Sequence, residues 1–318
     1  MSALTVDPSA PLFIVLNAGS GHNDMAATRE TIEGVLAAAG REHRILRVDD
    51  ARRLAAIAAE AVLLARAGAG VVVAAGGDGT INAVAQAVLG SGCAFGVLPQ
   101  GTFNYFGRSH GIPSDAAEAT RLLLTARAHP VQVGLVNERV FLVNASLGLY
   151  PQLLEDREAW KRQFGRSRLV AFGAGLATLL RAHRRLRLHV ELRGLVHDVR
   201  TPTLFVGNNR LQMEQIGTAQ AFEQGRLAAI MLRPVGTLGM LWLLLRGALA
   251  RLGEADNVLS FGFDSLTVRL PRLRRKRSIK VATDGEVAWL DAPLMFRVSP
   301  EPLYLLMPEP KKCERGPP

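Results

Sequence analysis

Five consecutive residues, Gly76-Gly77-Asp78-Gly79-Thr80, combine the parts of an anion site. They follow the apolar run Val71 to Ala75 and precede a segment with helical character. Glycines let the backbone turn sharply and approach a ligand closely. The free N–H groups at the start of a helix attract negative charge, and Thr80 is placed to cap that helix. The Asp78 carboxylate would repel phosphate unless Mg²⁺ or a basic residue lay between them. The set therefore points to a metal–nucleotide site. A tight turn with an exposed aspartate is the plainer alternative, but such a turn rarely needs three glycines around one acid.

Two further loops stand in matching places. Asn17-Ala18-Gly19-Ser20-Gly21 follows the apolar run Leu12 to Leu16, and Pro99-Gln100-Gly101-Thr102-Phe103-Asn104 follows Phe95 to Leu98. In an open α/β sheet, ligands collect at the carboxyl ends of the strands. All three loops are thus expected to meet around one nucleotide, which neither of the flanking loops would establish alone.

The elements that must position these loops alternate. Leu12–Leu16, Arg44–Val48, Val71–Ala75 and Phe95–Leu98 read as strands. Between and after them, helices are expected from Asn23 or Asp24 to Gly40, over Ala51–Ala67 behind Asp49 and Asp50, over Ile81–Leu89, and over Ala116–Ala126 behind Ser114. This alternation implies a parallel sheet with helices on both faces. The character changes near residue 130. Val131–Val136 and Arg139–Val143 flank Asn137-Glu138 as a β-hairpin. Short strands follow at Leu186–Leu192, Thr203–Val206, Leu227–Leu232, Leu266–Leu270 and Ile279–Thr283, with helical insertions near Leu169–Arg185 and Leu238–Leu252. The expected organisation is an α/β domain over 1–130, a β-rich domain over 131–290, a return to the first domain over 291–307, and a disordered tail over 308–318.

Composition narrows the partners. The 318 residues carry a net charge of +10, 48% hydrophobic and 21% charged residues, a globular balance with an excess suited to anionic partners. Cys93 and Cys313 offer no disulfide framework and fit a reducing compartment. The seven histidines lack ligand spacing, and Cys93 sits in an apolar stretch as a packed thiol. The N-terminal residues lack a leader pattern, and the longest apolar runs fall short of the ~20 residues that span a bilayer. A cytoplasmic protein with peripheral membrane contact is expected. The basic runs lack interleaved aromatics, which argues against a nucleic-acid partner.

The ordered elements NxGSG, GGDGTIN, PQGTFN and the late Asp284-Gly285-Glu286 resemble the motifs of the diacylglycerol kinase catalytic family, which includes bacterial lipid kinases and sphingosine kinases. The resemblance runs from Leu12 to about Met307. It implies an ATP-binding first domain, a β-sandwich second domain, and a lipid substrate entering a cleft between them. Asn17, Ser20, Gly21, Gly76, Gly77, Asp78, Gly79, Thr80, Asn82, Gly101, Thr102 and Asn104 fall at the family's nucleotide-binding motifs, with Asp78 meeting Mg²⁺ through the nucleotide. Asp-Gly-Glu matches the catalytic segment, where a carboxylate accepts the proton of an attacking hydroxyl. Glu286 is the preferred acceptor and Asp284 the residue that orients it or the metal, although in isolation Asp-Gly is a common turn signature.

Departures from the family pattern are specific. Asn104-Tyr105 stands where many relatives have Asn-Asp, His22 where a lysine is frequent, and Gln224-Gly225-Arg226 where Asp-Gly is frequent after a segment like Gly207-Asn208-Asn209. Tyr105 and Gln224 sustain the alternative of a catalytically weakened nucleotide- and lipid-binding module. An NAD kinase shares GGDGT, but Thr201-Pro202-Thr203 runs into an apolar strand instead of that family's substrate loop. Two basic runs, Arg181–Arg187 and Arg272–Lys280, are candidates for contact with an anionic membrane surface. The acceptor lipid is left open between diacylglycerol-like and sphingoid-like, and a homodimer is one option for the assembly.

Overall fold

The computed structural model describes residues 4–17, 25–101, 103–148, 151, 186–192, 194–209, 213–214, 225–233, 258–270 and 278–308. Two compact units divide the chain, one formed by Met1–Val131 with Glu301–Pro318 and the other by Gln132–Pro300. The Asn23/Asp24 cap, the two helical insertions, the tail after Pro308, Ser20, Gly21, His22, Thr102, Gln224 and Arg272–Arg277 lie outside the described residues.

The first unit begins β1 (Leu12–Asn17), α1 (Met25–Ala38), β2 (His43–Val48), α2 (Leu54–Ala67), β3 (Val71–Gly76), α3 (Asp78–Val88), β4 (Ala94–Pro99), α4 (Tyr105–Ser109), α5 (Ala116–Thr125) and β5 (Arg127–Val131). β3 and β4 are buried along their whole length, which is why they read as continuous apolar runs instead of alternating ones. On α2 the buried residues Leu54, Ile57, Ala58, Ala61, Val62 and Ala65 recur at helical spacing and form one face. Gly40 takes φ +61° just beyond α1, the left-handed conformation that ends the helix where expected.

Three helix starts differ from the sequence reading. Asp50 accepts from Arg52 N at 3.0 Å and caps a short 3₁₀ turn over Ala51–Arg53, with α2 proper following it. Asp115, not Ser114, caps α5 through a 2.9 Å bond from Glu118 N. Thr80 does not cap α3. The extended Gly77 does, with φ −78° and ψ 178°, and its carbonyl accepts from Ile81 N at 3.0 Å. The helix thus opens on Asp78, an acid in the first turn where the helix dipole favours it.

The second unit holds β6 (Gly134–Val136), β7 (Arg139–Phe141), β8 (Asn144–Gly148), β9 (Leu186–Leu192), β10 (Leu195–Thr201), β11 (Thr203–Gly207), β12 (Leu227–Leu232), β13 (Val258–Phe263), β14 (Ser265–Arg269), β15 (Ser278–Thr283), β16 (Glu286–Asp291) and β17 (Leu294–Val298). Their orders are β10-β9-β14-β17-β6-β7 and β13-β12-β11-β8-β15-β16. Inward residues of both sheets, among them Phe141, Leu188, Val206, Phe263, Val281 and Phe296, form one apolar core. That is the packing of a β-sandwich. β18 (Leu303–Met307) completes the first unit, whose sheet runs β2-β1-β3-β4-β18-β5 and is parallel except for the β18–β5 pair.

Of the two closing strands expected to return to the first domain, only β18 does so. β17 pairs with β14 and β6 and stays in the second unit, because Leu294 and Phe296 belong to the sandwich core. No helix among the described residues is long and apolar enough to cross a membrane.

Candidate functional site

Parallel register brings the ends of β1, β3 and β4 level. Leu16 pairs with Ala75 and Gly76 with Pro99, so Asn17, Gly76 and Pro99 finish side by side at the carboxyl edge of the sheet. The described residues at these ends are bonded to one another. Asn17 Nδ2 donates to Thr80 Oγ1 at 2.7 Å, joining the end of β1 to the second loop. Gln100 N donates to Gly76 O at 2.9 Å, joining the third to the second. Asn104 Oδ1 accepts from Gly101 N at 2.9 Å and folds the third loop on itself.

Glycine is required here by contact. A Cβ on Gly76 would stand 2.7 Å from Thr80 Oγ1, and one on Gly101 would stand 3.0 Å from Gly77 Cα and 2.9 Å from Asn104 Oδ1. Thr80, Asn82 and Asn104 are 3%, 9% and 5% exposed, an unusual concentration of buried polar side chains beside an apolar sheet. Asp78 and Gly79 are half-buried in the first turn of α3. The described residues predicted for nucleotide binding therefore all lie in this one edge, with Asp78 the carboxylate among them.

In the second unit, Asp284-Gly285 is the two-residue turn between β15 and β16, with φ +48° and +91°. The turn expected from the Asp-Gly signature is thus present. Asp284 Oδ2 accepts from Leu142 N at 2.7 Å, and Oδ1 accepts from Val143 N and Asn144 N, both at 2.9 Å. Its own N–H donates to Asn144 O at 2.9 Å. Asn208, from Gly207-Asn208-Asn209, donates through Nδ2 to Leu142 O at 3.1 Å and through its N–H to Val143 O at 2.8 Å. Every backbone N–H and C=O of residues 142–144 is thereby paired, and Gln132 Nε2 fixes Asn208 in turn at 2.7 Å.

Those bonds commit the Asp284 carboxylate to the backbone and leave Glu286 as the accessible acid of the triplet. Its side chain is 59% exposed, and Arg139 stands 3.8 Å away. Enough protein surrounds the carboxyl that desolvation raises its pKa above the ordinary 4.5; Arg139 opposes that rise and Asp284 adds to it. Arg139 is a site residue that the sequence did not single out. Its Nε donates to Thr283 Oγ1 at 3.0 Å, which places the guanidinium beside the turn.

Other expectations resolve as structure. Thr201-Pro202-Thr203 joins β10 in one sheet to β11 in the other, and Thr201 Oγ1 donates to Thr203 O at 2.6 Å, the behaviour of a buried turn. Cys93 is buried.

Comparison with known proteins agrees with this geometry. Residues 11–136 match the diacylglycerol kinase catalytic domain, a span that includes all three strand-end loops. The chain is 46% identical over 79 residues to a probable lipid kinase, YegS-like, from Klebsiella pneumoniae, covering 24% of this chain and 27% of that one. It is 36% identical over 105 residues to the probable lipid kinase YegS of Salmonella typhimurium, covering 32% and 31%. The alignments thus span less than a third of these relatives. A solved diacylglycerol kinase from Bacillus anthracis is similar over 95% of this chain and 97% of its own, with TM-score 0.67 and 19% identity. Another structure from that organism reaches TM-score 0.72 at 20% identity over 94% and 97%. The resemblance to the diacylglycerol kinase family is borne out over residues 11–136, and the two-part α/β and β-rich fold is that of these structures.

Proposed function

We propose that this chain is an ATP-dependent kinase that phosphorylates a hydroxyl of a lipid. The observation that carries the reading is the joining of three strand ends: the Asn17–Thr80 bond and the Gly77–Gly101 approach leave a backbone-lined edge that a Cβ on Gly76 or Gly101 would crowd. A phosphate chain suits that edge, because the first turn of α3 offers N–H groups and a favourable dipole. The Gln100 side chain adds a buried Nε2 with no hydrogen-bond acceptor among the described residues, a donor matched to an anionic or hydroxyl group. The matched catalytic domain supports ATP as the donor.

The residues present fit a magnesium nucleotide. Asp78 is the carboxylate that would meet the ion, with the Asn17, Thr80, Asn82 and Asn104 side chains supplying neutral polar groups around the phosphates. When bound, Mg²⁺ neutralises charge on the phosphate chain. Glu286 accepts the proton of the acceptor hydroxyl, and its raised pKa makes it the better base of the triplet. Asp284 holds the turn that presents Glu286, and Arg139 keeps its ionised form accessible near neutral pH.

A lipid acceptor follows from the relatives' names, and a water-insoluble acceptor calls for work at a membrane surface, to which the basic run Arg272–Lys280 is suited. Incubation of the purified protein with labelled Mg-ATP and a total lipid extract, followed by mass spectrometry of labelled products, tests the reading. A phosphorylated lipid absent from the Asp78→Ala control is the expected product. Label confined to inorganic phosphate or to a soluble metabolite would overturn the lipid assignment.

A further inference from the structure

We propose that Phe103, backed by Tyr105, is the platform on which the base of the nucleotide stacks; this rests on the reading of the strand-end loops as a nucleotide site. Elsewhere in the first unit Phe95 is 0% and Phe106 1% exposed, and Phe13 is half-buried. Phe103 is 49% exposed. Exposing an aromatic ring forgoes burial that folding would otherwise gain, and it leaves the ring open to another partner.

Its setting names that partner. The Phe103 and Tyr105 rings are parallel within 6°, with centroids 5.8 Å apart. The two rings share one orientation, and about half of Phe103 stays exposed. The backbone between them is held: Asn104, 5% exposed and at φ +47°, accepts from Gly101 N through its side chain. Phe103 is therefore a preorganised flat surface, and it lies two residues from Gly101, a backbone span of at most about 7 Å. Gly101 in turn packs against Gly77 at the start of the phosphate-facing helix. One molecule with an anionic chain at α3 and a planar ring within a nucleotide's length of it is a nucleotide. A flat aromatic face is suited to a base irrespective of its hydrogen-bonding edge.

Isothermal titration of the full chain with two probes separates the possibilities. Mg-ATP carries a base and Mg-tripolyphosphate does not. Phe103→Ala is expected to weaken Mg-ATP by roughly 10- to 100-fold while leaving Mg-tripolyphosphate unchanged. Phe103→Trp should restore Mg-ATP binding, and Tyr105→Ala should cause a smaller loss of the same kind. Equal weakening of both probes would show that the ring only supports the loop, and would overturn the proposal. So would unaltered Mg-ATP binding in Phe103→Ala, including the case in which only the KM for lipid acceptor rises and the ring serves the acyl chain. If the wild-type chain binds neither probe, the nucleotide reading itself fails and this assignment falls with it.

Discussion

Arg139 and Glu286 stand 3.8 Å apart at the sandwich edge, the first on β7 in one sheet and the second on β16 in the other. Both are the outermost strands of their sheets, so the pair bridges the two layers at the turn that carries Asp284. With side chains 32% and 59% exposed, the pair contributes little to stability. Its effect is on the proton affinity of Glu286.

That effect gives a pH prediction. The base must be ionised to accept a proton, so kcat/KM should rise with pH through the raised pKa of Glu286, on an acid limb above 4.5. Arg139 lowers that pKa, so Arg139→Met should move the limb to higher pH while the alkaline side is unchanged. Glu286→Gln should remove the limb and lower turnover roughly 10²- to 10⁴-fold, with little change in ATP affinity. Ionisation is the disfavoured state of this group in the fold, so its contribution to stability is lost as pH rises through the folded pKa, and Glu286→Gln should gain slightly at neutral pH. A pH–rate profile that Arg139→Met leaves in place would remove Glu286 from the role of base.

Asp78→Ala should abolish phosphoryl transfer while the fold persists. The carboxylate is half-buried at the first turn of α3, where an acid gains about 0.3–2 kcal/mol from the helix dipole. Far-ultraviolet circular dichroism and the thermal midpoint should change little, whereas activity with Mg-ATP should fall to background. Turnover near the wild-type level in this variant would exclude a role for Asp78 with metal or nucleotide.

The basic run offers a prediction about the proposed contact with a membrane surface. Each cationic side chain near an anionic bilayer is worth about 1 kcal/mol, weakened by salt. Replacing Arg274, Arg275, Lys276 and Arg277 by serine should therefore release the protein from anionic liposomes in sedimentation assays. Activity on bilayer substrate should fall while activity on a detergent-dispersed short-chain analogue survives. Undiminished binding at low salt would discard this run as the docking element.

The strand-end site was legible because its signals are local: a buried strand, then glycines and small polar residues, three times over. The start of α3 was not, because a threonine hydroxyl is an ordinary cap, and only the bond from Asn17 shows it engaged elsewhere. The roles of Asp284 and Arg139 were hidden for a different reason. Asp284 binds backbone groups up to 142 residues away, and Arg139 reaches the turn only because two sheet edges meet. Strands β10 and β16 were missed because Leu195–Thr201 and Glu286–Asp291 are largely exposed edges without apolar alternation.

His110 should make the first unit sensitive to acid. Its ring packs edge-on against Phe106 at 4.8 Å between centroids, and burial pushes its pKa from 6.5 down to about 4. A depressed histidine stabilises the fold fully above the unfolded pKa, and the contribution is lost as pH falls from 6.5 towards 4. The loss is on the order of 3 kcal/mol. Urea unfolding of His110→Phe followed across this range should show a weaker acid dependence than wild type, and an identical dependence would place the acid sensitivity elsewhere.

Asp284 should prove to be a stabilising residue as much as a functional one. Three backbone N–H groups, of Leu142, Val143 and Asn144, converge on its carboxylate. Hydrogen bonds to a charged acceptor contribute about 1.5–3 kcal/mol each in isolation, and they are not additive within one cluster. Asp284→Ala would leave all three donors without their acceptor and add strain at φ +48°, so a loss of about 3 kcal/mol is expected in the unfolding of the second unit. Asp284→Asn keeps one acceptor oxygen and tolerates the left-handed backbone, so its loss should be smaller. Asn208→Ala should destabilise the same segment from the carbonyl side, and its effect should combine with that of Asp284→Ala by less than the sum. Strict additivity in this double-mutant cycle, or wild-type stability in Asp284→Ala, would mean that the two side chains do not hold residues 142–144 as one clasp. Any loss of turnover in Asp284 variants would then have to come from direct contact with the reacting groups.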